Sequence, residues 1–101
     1  MSVEDIHSLQ QAVIERLQSV IDPETNVDVV RMRLVENLAV DAQGVARYTF
    51  RPSSPLCPVA VFLVQQIKQA IAEVPGITAQ QIEVTGYIAA DELTTLINKE
   101  N

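Results

Sequence analysis

The stretch "VRMRLVENLAVDAQGVARYTF", Val30 to Phe50, constrains the fold more than any other part of the chain. Apolar residues alternate along it with period two, on both sides of a turn signal. Gly44 suits a three-residue hairpin loop, Ala42-Gln43-Gly44, with the glycine in the left-handed position. That loop predicts a register pairing Asp41 with Val45, Val40 with Ala46, Leu38 with Tyr48 and Glu36 with Phe50. Met32, Leu34, Leu38, Val40, Ala46, Tyr48 and Phe50 then share one face, which makes the register self-consistent. Glu36 interrupts that face beside Phe50 and is placed at a frayed sheet end; Met32 is assigned to the core. The opposite face collects Arg31, Arg33, Arg47 and Arg51. We read it as the water-facing side of an antiparallel sheet, with docking of an acidic partner as the alternative.

Helical periodicity flanks the hairpin. Ile6, Leu9, Val13, Leu17 and Val20 form one apolar stripe, introduced by a Ser2–Asp5 capping pattern. Pro23 in "IDPET" is expected to stop this helix, because proline disfavours helical geometry at Asp22 and donates no hydrogen bond. A second helix is predicted from Pro58 to about Val74, burying Ala60, Leu63, Val64, Ile67, Ile71 and Val74 and ending at Pro75-Gly76. "QQIEVTGY" reads as a third strand with Ile82 and Val84 inward. Asp91 to Asn98 reads as a last helix using Leu93, Leu96 and Ile97. The result is an α+β fold of order α-β-β-α-β-α, a small sheet with one antiparallel hairpin and helices on one face. We expect residues 1–101 to form a single domain.

Composition narrows the function. Thirteen acidic against seven basic residues give a net charge of −6, a poor basis for nucleic-acid binding, which depends on neutralising phosphates. The longest apolar run, Val59 to Val64, is too short to span a bilayer, and no membrane partner is expected. The polar, acidic "MSVEDIHSLQ" is read as neither signal nor transit peptide, and a single cysteine gives no sign of an oxidising compartment; both point to the cytoplasm.

That cysteine, Cys57, stands between Pro55 and Pro58 in "RPSSPLCPVA". If Pro58 takes the first helical position, Cys57 becomes the capping residue and its thiol faces the positive end of the helix, which favours thiolate. The competing reading is a small buried hydrophobe. A cysteine hydrolase needs a histidine base, and the only one, His7, falls on the exposed side of the first helix. A dithiol oxidoreductase needs a second cysteine. A zinc or cluster site within one chain needs three or four soft ligands. A thiolate here must therefore work with groups from a second copy, a partner protein or a transiently held metal. Asp22 and Glu24 are the candidate helpers within the chain, the alternative being that they only terminate the first helix.

"VIDPETNVDVVRMRLVENLAVDAQG", then "SSPLCP", a helix closing on "VPGI" and a strand "IEVTGY" together resemble the small metal–sulfur cluster assembly factors. That family includes SufT, the phenylacetate-pathway protein PaaD and eukaryotic cytosolic iron–sulfur targeting factors. The resemblance covers roughly residues 6–88. Its "DPE" falls on Asp22, Pro23 and Glu24. Its "TSPxCP" falls on Ser53 to Pro58, with Ser53 in place of the usual threonine. The resemblance implies that Cys57 is the functional thiol and that Asp22, Glu24, Ser53, Ser54 and Pro58 support it. It further implies a non-enzymatic accessory factor that assembles clusters or targets them to client apoproteins. The alternatives are a PaaD-like accessory subunit of a metabolic enzyme complex and a thiol-based redox protein. No cofactor is expected to be held stably by one chain; a transient iron–sulfur cluster or iron is. Metal ligation by Cys57 then needs a partner or a homodimer bridging two Cys57 thiolates, with oxygen ligands from Asp22 or Glu24. "GYIAADELTTLINKEN" departs from the proline- and tryptophan-bearing segment of many members.

Overall fold

The computed structural model describes residues 3–99. The order is α1 (Val3–Leu17), β1 (Val35–Val40), β2 (Val45–Phe50), α2 (Ala60–Ala72), β3 (Ala79–Val84) and α3 (Ala90–Lys99), as the periodicities predict. β1 pairs antiparallel with β2, and β2 pairs parallel with β3, giving sheet order β1-β2-β3. The parallel step demands a crossover, and α2 supplies it.

α1 buries Leu9, Val13 and Leu17 and carries Glu4 and Asp5 in its first turn, where the helix dipole favours acids. Ser2, of the expected capping pair, lies outside the described residues. The helix ends at Leu17, before Pro23 can act. Its last carbonyls are taken by tight turns (Ser19 N–H to Arg16 O, 3.1 Å; Val20 N–H to Leu17 O, 3.0 Å) and by the Ser19 hydroxyl on Arg16 O at 2.7 Å. Val20 stays buried beyond the helix.

The hairpin loop forms as predicted. Gly44 has φ +82°, its N–H donates to Asp41 O, and Asp41 N–H donates to Val45 O. The Asp41 carboxylate accepts the Gln43 and Val45 N–H groups and pairs with Arg47. The Val45 hydrogen bond outweighs desolvation and, with the weaker bonds from Gln43 and Arg47, holds its carboxyl below the ordinary range. A β-carbon on Gly44 would overlap the Gly76 carbonyl, so the site needs glycine for space as well as for conformation.

The register holds from Val40–Ala46 to Ala39–Arg47 and then slips: Glu36 pairs with Thr49, and Val35 with Phe50. Asn37, at φ +56°, inserts the extra residue of a bulge. Glu36 therefore lies within the ladder instead of at a frayed end. The strand begins only at Val35, so Met32 sits half-buried in the preceding turn and accepts a hydrogen bond from the Thr25 hydroxyl. Arg31 and Arg33 also lie in that turn, and the four-arginine strand face does not form.

Val40, Ala46, Tyr48, Phe50, Ile82 and Val84 bury one sheet face against α1 and α2, while Ala39, Arg47, Gln81 and Glu83 on the other are exposed. All six residues predicted for the buried side of α2 are buried. Phe50 is wholly buried, worth about 2–3 kcal/mol in transfer alone. The Tyr48 hydroxyl donates to Gln80 Oε1 (2.8 Å), and Gln80 Nε2 donates to Lys68 O (2.8 Å), tying β2, β3 and α2 together inside the core. Burial pushes the Tyr48 phenol far above its ordinary pKa.

α3 buries Leu93 and Ile97, but Leu96 is exposed, because the helix lies along β3 and offers only one narrow stripe. Asn98 accepts the Ile82 N–H (2.9 Å) and donates to Ile82 O (2.7 Å), and Thr94 accepts the Val84 N–H (2.9 Å). Two side chains thus stand in for a neighbouring strand. Among the described residues, no helix is long and apolar enough to cross a membrane.

Candidate functional site

The chain from Ser54 to Ala60 consists of two consecutive turns. Cys57 N–H donates to Ser54 O (3.1 Å), with Pro55 and Leu56 between them; Ala60 N–H donates to Cys57 O (3.3 Å), with Pro58 and Val59 between them. Each turn has proline in the second position, where its fixed φ is favoured. Cys57 is the shared corner, and this accounts for its place between two prolines. The Ser54 hydroxyl also accepts the Leu56 N–H at 3.2 Å.

This geometry corrects the capping expectation. The residue preceding α2 is Val59, without a side-chain cap, and the first helical bond runs from Leu63 N–H to Val59 O at 2.8 Å. Pro58 lies in the turn before the helix, so Cys57 is two residues short of the cap position. Its side chain points inward instead, 5% exposed and part of the hydrophobic core. Ser53, Ser54, Pro55, Leu56 and Pro58 around it are exposed. Ile88 N–H donates to Pro55 O at 2.8 Å, bringing the segment after β3 onto the cysteine loop. Leu56 and Ile88 are 69% and 74% exposed. Sequence reasoning passed over both; two large apolar residues in loops were the available signal.

The Asp22 turn is built differently. Asp22 Oδ1 accepts the Glu24 N–H (2.8 Å), Asp22 O accepts the Asn26 N–H (2.8 Å), and Asp22 N–H donates to Val27 O (2.9 Å). Ile21 and Asp28 form an antiparallel bridge, and Val29 N–H reaches Val20 O. Asn26, at φ +60°, completes the reversal. Asp22 is only 1% exposed, an unusual place for a carboxylate supported by one backbone donor. Glu24 is exposed. The structure thus joins Asp22 to Glu24, and Ser54 to Cys57, while no hydrogen bond or ion pair links the two turns among the described residues. His7 is exposed, as expected.

Among the described residues, no three His, Cys, Asp or Glu side chains gather in a way that could hold a metal ion. One soft donor does not suit a resident cluster.

A curated relative, the Fe-S protein maturation auxiliary factor YitW of Bacillus subtilis, is 30% identical over 77 residues, covering 76% of this chain and 76% of YitW. An iron-sulfur cluster carrier protein of Synechocystis is 30% identical over 73% of this chain, which spans 21% of that longer protein. A crystal structure of a DUF59 domain of unknown function from Bacillus anthracis superposes with a TM-score of 0.75, covering 98% of this chain and 96% of that one. At 22% identity, this likeness shows the fold alone. The model of the iron-sulfur cluster assembly protein family matches residues 10–84, a span running from α1 through both proline turns to the end of β3, and the chain belongs to that family.

Proposed function

We propose that this protein is a non-enzymatic accessory factor in iron–sulfur cluster assembly or targeting, acting in the cytoplasm through the Cys57 thiol. The cluster, or its iron, is cargo. Ligation requires the thiol to release its proton and the sulfur to donate an electron pair to iron. The remaining donors come from an assembly protein, a client apoprotein or a second copy of the chain. The observation that carries this reading is the place of Cys57 itself: the only thiol in the chain, held at the corner of two proline turns within the span matched by the family. The names of the relatives, an auxiliary maturation factor and a cluster carrier, support the accessory role. Burial of the thiol means that the loop must yield before sulfur meets iron, which suits release to a partner better than storage.

The test is complementation. In a strain lacking the gene, iron–sulfur dehydratase activity in extracts is expected to recover with the native chain but not with Cys57→Ala at equal protein level. Full recovery with Cys57→Ala would remove the thiol from the function.

A further inference from the structure

The arginines that do not form a strand face are regrouped. Arg33 and Arg51 line one hollow of about 240 Å³ with Glu36 and Ser53, at the root of the cysteine loop. Three features hold the pair in place. Arg51 N–H donates to Leu34 O at 2.8 Å, fixing the two arginine-bearing segments side by side. Arg33 is kept at φ +58°, a costly conformation for a non-glycine residue, by a turn in which its N–H donates to Val30 O and Leu34 N–H donates to Val29 O. Gly86, at φ +64°, leaves room for the Arg51 stem: a β-carbon there would lie 3.2 Å from Arg51 Cγ and 3.3 Å from Nε.

Neither guanidinium makes an ion pair among the described residues, in contrast to Arg16 on Glu73 and Arg47 on Asp41. The Ser53 hydroxyl likewise has no hydrogen-bond partner there. We propose that Arg33, Arg51 and Ser53 form a docking clamp for an acidic side chain of a partner protein. Two guanidiniums against the Glu36 carboxylate leave a formal excess of one positive charge, which matches one carboxylate better than a doubly charged phosphate. The chain's net charge of −6 disfavours a nucleic-acid strand over a short acidic peptide segment. The hollow includes Pro52 and Ser53, which lead directly to Cys57, so a partner held there is brought to the thiol. That purpose rests on the accessory-factor reading; the clamp itself does not.

The test titrates the metal-free, nitrogen-15-labelled protein with a capped peptide carrying a single glutamate, followed by NMR. Shifts are expected at the Arg33 and Arg51 side-chain Nε–Hε groups and the Ser53 amide, weakening as salt rises. Arg33→Gln and Arg51→Gln are each expected to lower affinity about tenfold. Gly86→Ala, which keeps both charges but crowds Arg51, is expected to weaken binding as well. Arg16→Gln is expected to change nothing. Absence of shifts at Arg33 and Arg51, or equal binding of a peptide with glutamine in place of glutamate, would overturn the clamp. Tighter binding of a phosphoserine peptide or a short single-stranded DNA would overturn the carboxylate assignment. No thiol or cluster enters these measurements, so their failure leaves the role of Cys57 standing, and loss of complementation by Cys57→Ala leaves the clamp standing.

Discussion

The Asp22 turn and the Cys57 turns each set a proline beside a carboxyl or a thiol and bury that side chain, yet they are closed by different means. The Asp22 turn closes on itself, through Asp22 to Val27 and Asn26 and through the Ile21–Asp28 bridge. The Cys57 turns have local bonds too, but they also rest on Ile88 N–H from the far end of the sequence. A turn closed by its own neighbours has little freedom to open without wider unfolding. A turn held partly from a distance can be released by moving whatever holds it. The buried carboxylate thus belongs to a fixed part of the molecule and the buried thiol to a conditional one.

Breaking the fixed part should cost most. Asp22→Ala orphans the Glu24 N–H and empties a buried position, for an expected loss of about 2 kcal/mol in denaturant unfolding. Asp22→Asn, which keeps the accepting oxygen, should recover most of it; equal losses would show that charge, not the turn bond, matters there. Cys57→Ala removes one buried atom from the core and is expected to cost about 1 kcal/mol. A loss as large as that of Asp22→Ala would remove the distinction between the two turns. Ile88→Pro deletes the donor to Pro55 O, and its stability cost should stay below about 1 kcal/mol. Its main effect should be on alkylation of native Cys57 by iodoacetamide, which should quicken severalfold over a slow native baseline. An unchanged rate would mean that the segment after β3 does not govern the thiol.

The smallest effect belongs to the hairpin. The Asp41 carboxyl is held below its ordinary 3.8 in the folded state. Its contribution is therefore complete above that value and is lost as pH falls through the lower folded value. The Asp41→Asn chain should lack this part of the acid destabilisation, read as a flatter Tm against pH below about 4. A curve parallel to that of the native chain would place the acid sensitivity elsewhere.

Much of this was legible in the sequence because it is local. The apolar steps of α1 and α2, the Gly44 loop and the inward Ile82 and Val84 need only periodicity and turn chemistry. The errors arise where a distant neighbour decides. The bulge at Asn37 shifts the register in a strand whose alternation reads as continuous. Leu96 fits the stripe of its helix but finds no core, because α3 lies on an edge. Cys57 reads as a cap because Pro58 fits a first helical position, whereas Pro55 and Pro58 each head a separate turn in the fold. That the chain has a single thiol needed only a count.

The side chains of Thr94 and Asn98 occupy the hydrogen-bonding positions that a fourth strand would take along β3. The sheet is therefore terminated on that side by the chain's own last helix, and an extended segment from another molecule finds no vacant ladder there. On the opposite side, the bulge at Asn37 breaks the straight run of donors and acceptors on β1. Both margins of the sheet are thus poor templates for strand addition. Removing α3 would convert β3 into an adhesive rim, and the shortened chain would be expected to aggregate.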